Sequence, residues 1–255
     1  MCYEIRTSTL SKEKYVNRYG DSLDPREFDR VFDGSRPVYH ASGFDHLDLP
    51  VITRQNPDSI QLLNWGLIPH WTKSIEDVVR IQNQTLNARA ETLFEKPAFR
   101  ESVVSRRCLV IADGFFEHHH KNGKAFPYHI HMKNNEPMTL AGIWDTWRGE
   151  GVERTTVSIV TTRANALMGR IHNNPKLSEG PRMPLILPKE NEQDWLNLSV
   201  RDAKDLEHLV IPFDERLLEA YTVPKLKGKL AVGNTERAIT KYDYQELVVV
   251  QTGLF

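Results

Sequence analysis

The feature that most constrains this fold is the dipeptide Asn122-Gly123. Both residue types accept positive φ at low cost, and the pair closes tight two-residue hairpins. It separates an apolar and aromatic run, Leu109 to His119, from a second, Phe126 to Met132. The spacing predicts two antiparallel strands. Thr139 to Trp144 and Thr156 to Thr162, rich in β-branched or aromatic residues, extend the sheet. Upstream, Ile60 to Gly66 reads as another strand. Asp24-Pro25-Arg26-Glu27 reads as a helix start, with Asp24 as cap, Pro25 in the first turn and Phe28, Val31 and Phe32 following at helical spacing. Residues 87–104 read as a loop that turns helical near Pro97, and 191–209 as a helix. No repeat, low-complexity tract or linker interrupts the pattern. The expectation is an α+β fold: one domain over residues 2–240 with a mainly antiparallel, barrel-like sheet and peripheral helices, and residues 241–255 as a tail packed on or extending it.

At 255 residues the chain can bury a sizeable core. No apolar stretch approaches the length of a membrane span, and the polar run Glu4 to Thr9 does not resemble a signal peptide. An intracellular protein with no membrane partner is expected. The net charge of −1 gives no global sign of a nucleic-acid binder, so any such function must rest on a local basic groove. The two cysteines exclude a disulfide framework and a cysteine-based zinc site. Cys108, opening the apolar run to Ala112, reads as a core thiol. His118-His119-His120 suggests a metal site, but neighbouring strand residues face opposite ways, so a solvated hairpin arm is the better reading. No metal and no cofactor is expected.

Cys2 has a different character. Loss of Met1 would leave an α-amine and a thiol on one residue, with reference pKa values of about 7.7–8.0 and about 8.5, both partly deprotonated near neutrality. Such an aminothiol condenses with an aldehyde to a Schiff base, and the thiol then closes a five-membered thiazolidine. The closure is intramolecular and so strongly favoured. Alone, Cys2 reads as an incidental second residue.

Four further segments bear on that choice: Asn87-Ala88-Arg89-Ala90-Glu91-Thr92; Asp113-Gly114-Phe115-Phe116-Glu117; Arg170-Ile171-His172 with Arg182-Met183-Pro184 after an interval; and Ala231-Val232-Gly233-Asn234. With Met1-Cys2 they occur in the order of the SRAP family pattern (SOS response-associated peptidase, also called abasic-site processing proteins), which the chain resembles from residue 2 to about residue 234. The resemblance implies covalent capture of abasic sites in single-stranded DNA through Cys2, with reversal possible and with lyase and autopeptidase activity as accompanying expectations. It implies that Asn87 positions the terminal amine or the sugar, that Glu117 and His172 supply acid–base catalysis, and that Arg89 contacts phosphate. A DNA-damage-response protein, nucleoid-associated when bound to DNA, is what such a resemblance predicts; a monomer is expected, with the oligomeric state left open by the sequence.

The chemistry fits those residue types. An abasic deoxyribose is mostly a closed hemiacetal, so a proton donor must help expose the aldehyde, and carbinolamine dehydration also needs an acid. A carboxylate beside a histidine divides these tasks. By themselves Glu117 reads as a solvent-facing strand residue, His172 as a core or turn histidine and Arg89 as a surface ion-pair residue. Trp71, in Pro69-His70-Trp71, is either a base-stacking residue or a core tryptophan. Arg163, Arg170 and Arg182 flank the His172 segment and are candidates for a basic groove. Lys225, Lys227 and Lys229 read as a solvated loop. Two departures from the family pattern stand out: Tyr3-Glu4 where Gly-Arg is usual, and an expanded interval between His172 and Arg182 containing Pro175, Gly180 and Pro181. Glu4 would repel phosphate if it faced the DNA. Two other functions remain open: an N-terminal-nucleophile peptidase using the Cys2 thiol, and a non-covalent module for modified DNA.

Overall fold

The computed structural model describes residues 3–20, 23–32 and 36–247. Cys2 and residues 248–255 of the expected tail lie outside the described residues. The elements run β1 (Glu4–Thr7), α1 (Lys12–Tyr19), α2 (Pro25–Phe32), β2 (Val38–Ser42), β3 (Asp48–Thr53), β4 (Asn56–Trp65), α3 (Ile75–Gln84), β5 (Asn87–Arg89), α4 (Arg100–Ser105), β6 (Arg107–Ala112), β7 (Gly114–Lys121), β8 (Lys124–Met132), β9 (Met138–Gly149), β10 (Val152–Arg163), α5 (Ala166–Ile171), β11 (Arg182–Pro184), β12 (Ile186–Leu187), α6 (Lys189–Asn197) and β13 (Leu218–Thr222).

Strands β10, β4, β3, β6 and β9 pair in that order and β9 pairs back to β10, which closes a five-strand ring. A second sheet runs β13-β8-β7-β1-β2. The pairings are antiparallel except those of β10 with β4 and β5. The class is α+β, with the helices outside the sheets. No helix among the described residues is long and apolar enough to cross a membrane.

The hairpin at Asn122-Gly123 forms as predicted, with φ of 50° and 75°. The run Leu109 to His119 is two strands rather than one. β6 belongs to the ring and β7 to the second sheet, and the chain changes sheet at Asp113. The Asp113 carboxylate accepts from Thr9 N (2.7 Å), Thr9 Oγ1 (2.8 Å) and Tyr15 Oη (2.7 Å). Gly114 follows because β8 passes too close for a side chain: a Cβ would lie 2.7 Å from Ile130 O. The unbroken apolar run of β6 has a packing cause. Leu109 and Ile111 face a core shared with Phe28, Trp195 and Tyr15, while Cys108, Val110 and Ala112 face a second core with Ile5, Phe115 and Leu140. Both faces are buried, so alternation disappears. Cys108 is fully buried.

Two predicted boundaries moved. Asn87–Arg89 is a strand, paired parallel to β10, within what reads as a loop; three residues are too few to show a period. The predicted helix over 191–209 stops at Asn197. There the buried Arg107 guanidinium takes the carbonyls of Trp195, Leu196 and Leu198, and on its other side Val103 O (2.7 Å) and Val104 O (3.1 Å). One cation thus satisfies the terminal carbonyls of both α4 and α6.

Candidate active site

β1 runs antiparallel to β7, Ile5 opposite Phe115 and Arg6 opposite Gly114. The start of the chain therefore enters the sheet beside the end of β7 that carries Glu117. A cavity of about 640 Å³ opens there, lined by Tyr3, Glu117, His118, His120, His172 and Lys227 among others. Tyr3 also borders a neighbouring pocket of about 610 Å³ with Asn87, Arg89 and Phe99. Its ring stacks on Phe44 at 5.5 Å, and its carbonyl accepts from Gly43 N at 2.7 Å. Cys2 is outside the described residues, but its neighbour Tyr3 stands between the two cavities.

His172 is delivered by α5. Asn165 caps that helix, its side chain accepting from Met168 N at 2.8 Å, and the helix ends with His172 N donating to Met168 O at 2.7 Å. The imidazole is buried, with Nδ1 2.9 Å from Arg182 O and 3.6 Å from Glu117 Oε2. Glu117 sits opposite Tyr128 on β7 and accepts from His118 N at 2.9 Å. Burial pushes the Glu117 carboxyl up to about 7, aided by the nearby charge of Glu4. Burial pushes the His172 imidazole down to about 4. Near neutrality the site thus holds a carboxyl able to give a proton beside a neutral imidazole, separated far along the chain but adjacent in space.

Asn87 is buried at the start of β5, opposite Ile159 of β10. Arg89, two residues on, pairs with Glu179 at the mouth of the neighbouring pocket. Arg182 is buried and held bidentately by Glu91 (3.2 and 2.7 Å) and by Thr161 O (2.8 Å). Arg163, Arg170 and Trp71 are exposed and line neither cavity; Arg170 borders a separate surface hollow with Glu215 and Glu219. The structure brings Glu117 and His172 together, with Asn87 and Arg89 next door, and leaves Arg163 and Arg170 on the surface outside both cavities and Arg182 inside the scaffold.

Several residues at the site escaped the sequence reading. His118 and His120 line the cavity, although their run reads as a solvated arm; spacing of two along β7 was the available signal. His119 instead approaches Arg170 O at 2.9 Å. Lys225 and Lys227 also line the cavity, Lys225 donating to Ala125 O at 2.5 Å over the rings of Phe126 and Tyr244. The expanded interval after His172 contributes Asn174 and Leu177 to the cavity wall and Glu179 to Arg89.

The family model described as SOS response associated peptidase (SRAP) matches residues 1–230. The chain belongs to the SRAP family. It is 38% identical over 192 residues to the abasic site processing protein YoqW of Bacillus subtilis, covering 74% of this chain and 80% of that one. It is 29% identical over 230 residues to the abasic site processing protein HMCES of Xenopus tropicalis, covering 78% and 65% respectively. A crystal structure of a Bacteroides thetaiotaomicron protein superposes with a TM-score of 0.80 at 35% identity, over 94% of this chain and all of that one. The SRAP motif residues divide by role. Asp113, Gly114, Glu91 and Arg182 hold the scaffold. Asn234 ties the end of the fold to β2, accepting from Tyr39 N at 2.7 Å and donating to Pro37 O at 3.1 Å. Glu117, His172, Asn87 and Arg89 border the cavities.

Proposed function

We propose that this SRAP protein captures abasic sites in single-stranded DNA covalently, through a thiazolidine formed on Cys2 once Met1 is removed. The observation that carries the reading is the Glu117–His172 pair in a cavity bordered by Tyr3, the residue next to Cys2. A protonated Glu117 gives its proton to the ring oxygen as the sugar opens, and the C1 hydroxyl proton passes to the neutral His172, leaving the aldehyde. The terminal amine adds to that carbonyl, and proton return from the pair expels water to leave an iminium. The Cys2 sulfur then closes the ring. Asn87 orients the amine or the sugar, and Arg89 holds a flanking phosphate through its planar donors. Reversal of the same steps releases the lesion, and a lyase or an autopeptidase acting on Met1 would draw on the same groups. The partner is single-stranded DNA and the protein acts as a monomer inside the cell.

Incubation with a single-stranded oligonucleotide bearing one abasic site, followed by denaturing electrophoresis, tests this. A shifted band is expected for the wild type and its loss for Cys2→Ala. An amide nitrogen cannot condense with an aldehyde, because its lone pair is delocalised into the carbonyl. A tag upstream of Cys2 should therefore abolish the stable adduct, while one after Phe255 should be harmless. An undiminished band in Cys2→Ala overturns the proposal; equal crosslinking by the upstream-tagged protein removes the amine from the chemistry and favours the thiol peptidase.

A further inference from the structure

At the cavity wall lies a second carboxylate–imidazole pair, Glu4 behind the lining residue His118, that the steps above leave unused. Glu4, at the start of β1, is buried at 2% exposure. Its Oε1 lies 3.2 Å from His40 Nε2 and its Oε2 3.5 Å from His118 Nδ1. Lys227 Nζ approaches Oε1 at 3.1 Å from the loop after β13. Glu4 is thus turned inward, away from any phosphate, and neutralised where it stands. His118 lines the cavity, and its main-chain N–H is the group that donates to Glu117. With Nδ1 turned to a carboxylate, the proton is favoured on Nδ1 and the lone pair of Nε2 is directed away from Glu4.

We propose that His118, oriented by Glu4, is the general base for the Cys2 thiol in ring closure, with Glu4 as its positioning residue. The inference rests on the covalent capture proposed above. Nε2 of His118 takes the proton from Sγ. The sulfur electron pair forms the bond to the iminium carbon, and the C=N π pair moves onto nitrogen, giving the neutral secondary amine of the thiazolidine. The proton leaves the imidazolium for solvent. One S–H bond breaks, one C–S bond forms, and no oxidant is required. His118 offers the thiol an acceptor besides the Glu117–His172 pair that moves protons in the earlier steps, and it lines the same cavity. Burial keeps the His118 imidazole neutral, pushed down to about 4, with Glu4 opposing and Lys227, His120 and His40 adding to the depression.

Single-turnover reactions with the one-site oligonucleotide separate the steps. Borohydride traps the imine; the adduct that persists without borohydride reports closure. For His118→Ala, imine formation at the wild-type rate is expected, with closure slowed about 10²-fold or more and partly restored by added imidazole. Its closure rate should rise about tenfold per pH unit below the thiol pKa of about 8.5, where the wild type is nearly flat. His118→Gln, which keeps size and hydrogen bonding, should be as slow. Glu4→Gln should slow closure to a lesser degree and, by removing a charge that helps hold the Glu117 carboxyl up, move the alkaline limb of imine formation to lower pH. Wild-type closure in His118→Ala, rescue by the Gln side chain, or equal loss of imine and closure overturns the inference and leaves capture standing. A wild-type protein of confirmed Cys2 terminus that yields neither species overturns capture itself.

Discussion

Replacing Glu117 with glutamine should make the protein more stable and much less active, and the size of the first effect follows from the site. Burial holds the Glu117 carboxyl at about 7 against an ordinary 4.5. Ionising it in the folded state is therefore unfavourable by on the order of 3 kcal/mol, taking ~1.4 kcal/mol per tenfold change in proton affinity. The folded state binds more protons than the unfolded one between those two values, so stability falls as pH rises from 4.5 to about 7 and is level above. Below 4.5 both states are protonated and nothing is lost. Glutamine has the same shape and no such penalty. The melting temperature of Glu117→Gln minus that of wild type should be near zero at pH 4, widen through pH 6–7, and reach roughly 6–12 °C at pH 8, from ~2–4 °C per kcal/mol for a chain of this size. His172 works in the opposite sense: its depressed value makes stability rise between about pH 4 and 6.5. It is present in both proteins and neutral in the fold above about pH 6, so the difference that develops between about pH 6 and 8 reports Glu117. The assay is thermal unfolding followed by circular dichroism at matched ionic strength, alongside single-turnover capture. Adduct formation should fall by about 10²–10⁴-fold. A pH-independent difference in melting temperature would refute the claim that burial holds this carboxyl protonated.

The remaining predictions concern the rim and the scaffold. Arg89→Ala should weaken single-stranded DNA binding and lower the slope of log affinity against log salt by about 0.7, read by fluorescence anisotropy. Because Glu179 pairs with Arg89, Glu179→Gln should tighten binding at low salt, and an unchanged affinity would show that DNA does not displace that pair. Gly114→Ala places a Cβ 2.7 Å from Ile130 O and should destabilise by roughly 1–3 kcal/mol in urea unfolding. Asp113→Ala removes the acceptor of two hydroxyls and a main-chain N–H and should cost about 2–4 kcal/mol by the same measurement.

Legibility in the sequence followed the length scale of each signal. The hairpin at Asn122-Gly123 and helix α2 were readable because turn chemistry and caps act within four residues. The break at Asp113 was not, because its cause is a carboxylate claimed by Thr9 and Tyr15, about a hundred residues away. The end of α6 at Asn197 was hidden for the same reason: the group that caps it, Arg107, belongs to another strand. β5 was missed because a three-residue strand is defined by its partner β10 alone. At the site, ordered motifs pointed to Glu117, His172, Asn87 and Arg89, and the fold gathers all four around two adjoining cavities. They gave no hint of His118 or Lys227, whose surroundings are set by the pairing of β1 with β7 and by the loop after β13.

That division explains how the unusual Tyr3-Glu4 start is accommodated. A carboxylate two residues from the reacting terminus, facing DNA, would oppose every phosphate drawn toward the cavity. Turned inward, the same charge sits within 3.5 Å of two imidazoles and one ammonium, and its field favours a protonated Glu117. Breaking this cluster from the lysine side, with Lys227→Met, removes a counter-charge from Glu4 and Glu117 together without touching either carboxylate. Glu117 should then hold its proton to higher pH, and the alkaline limb of the capture rate should move upward. A purely solvated Lys227 would leave that limb where it was.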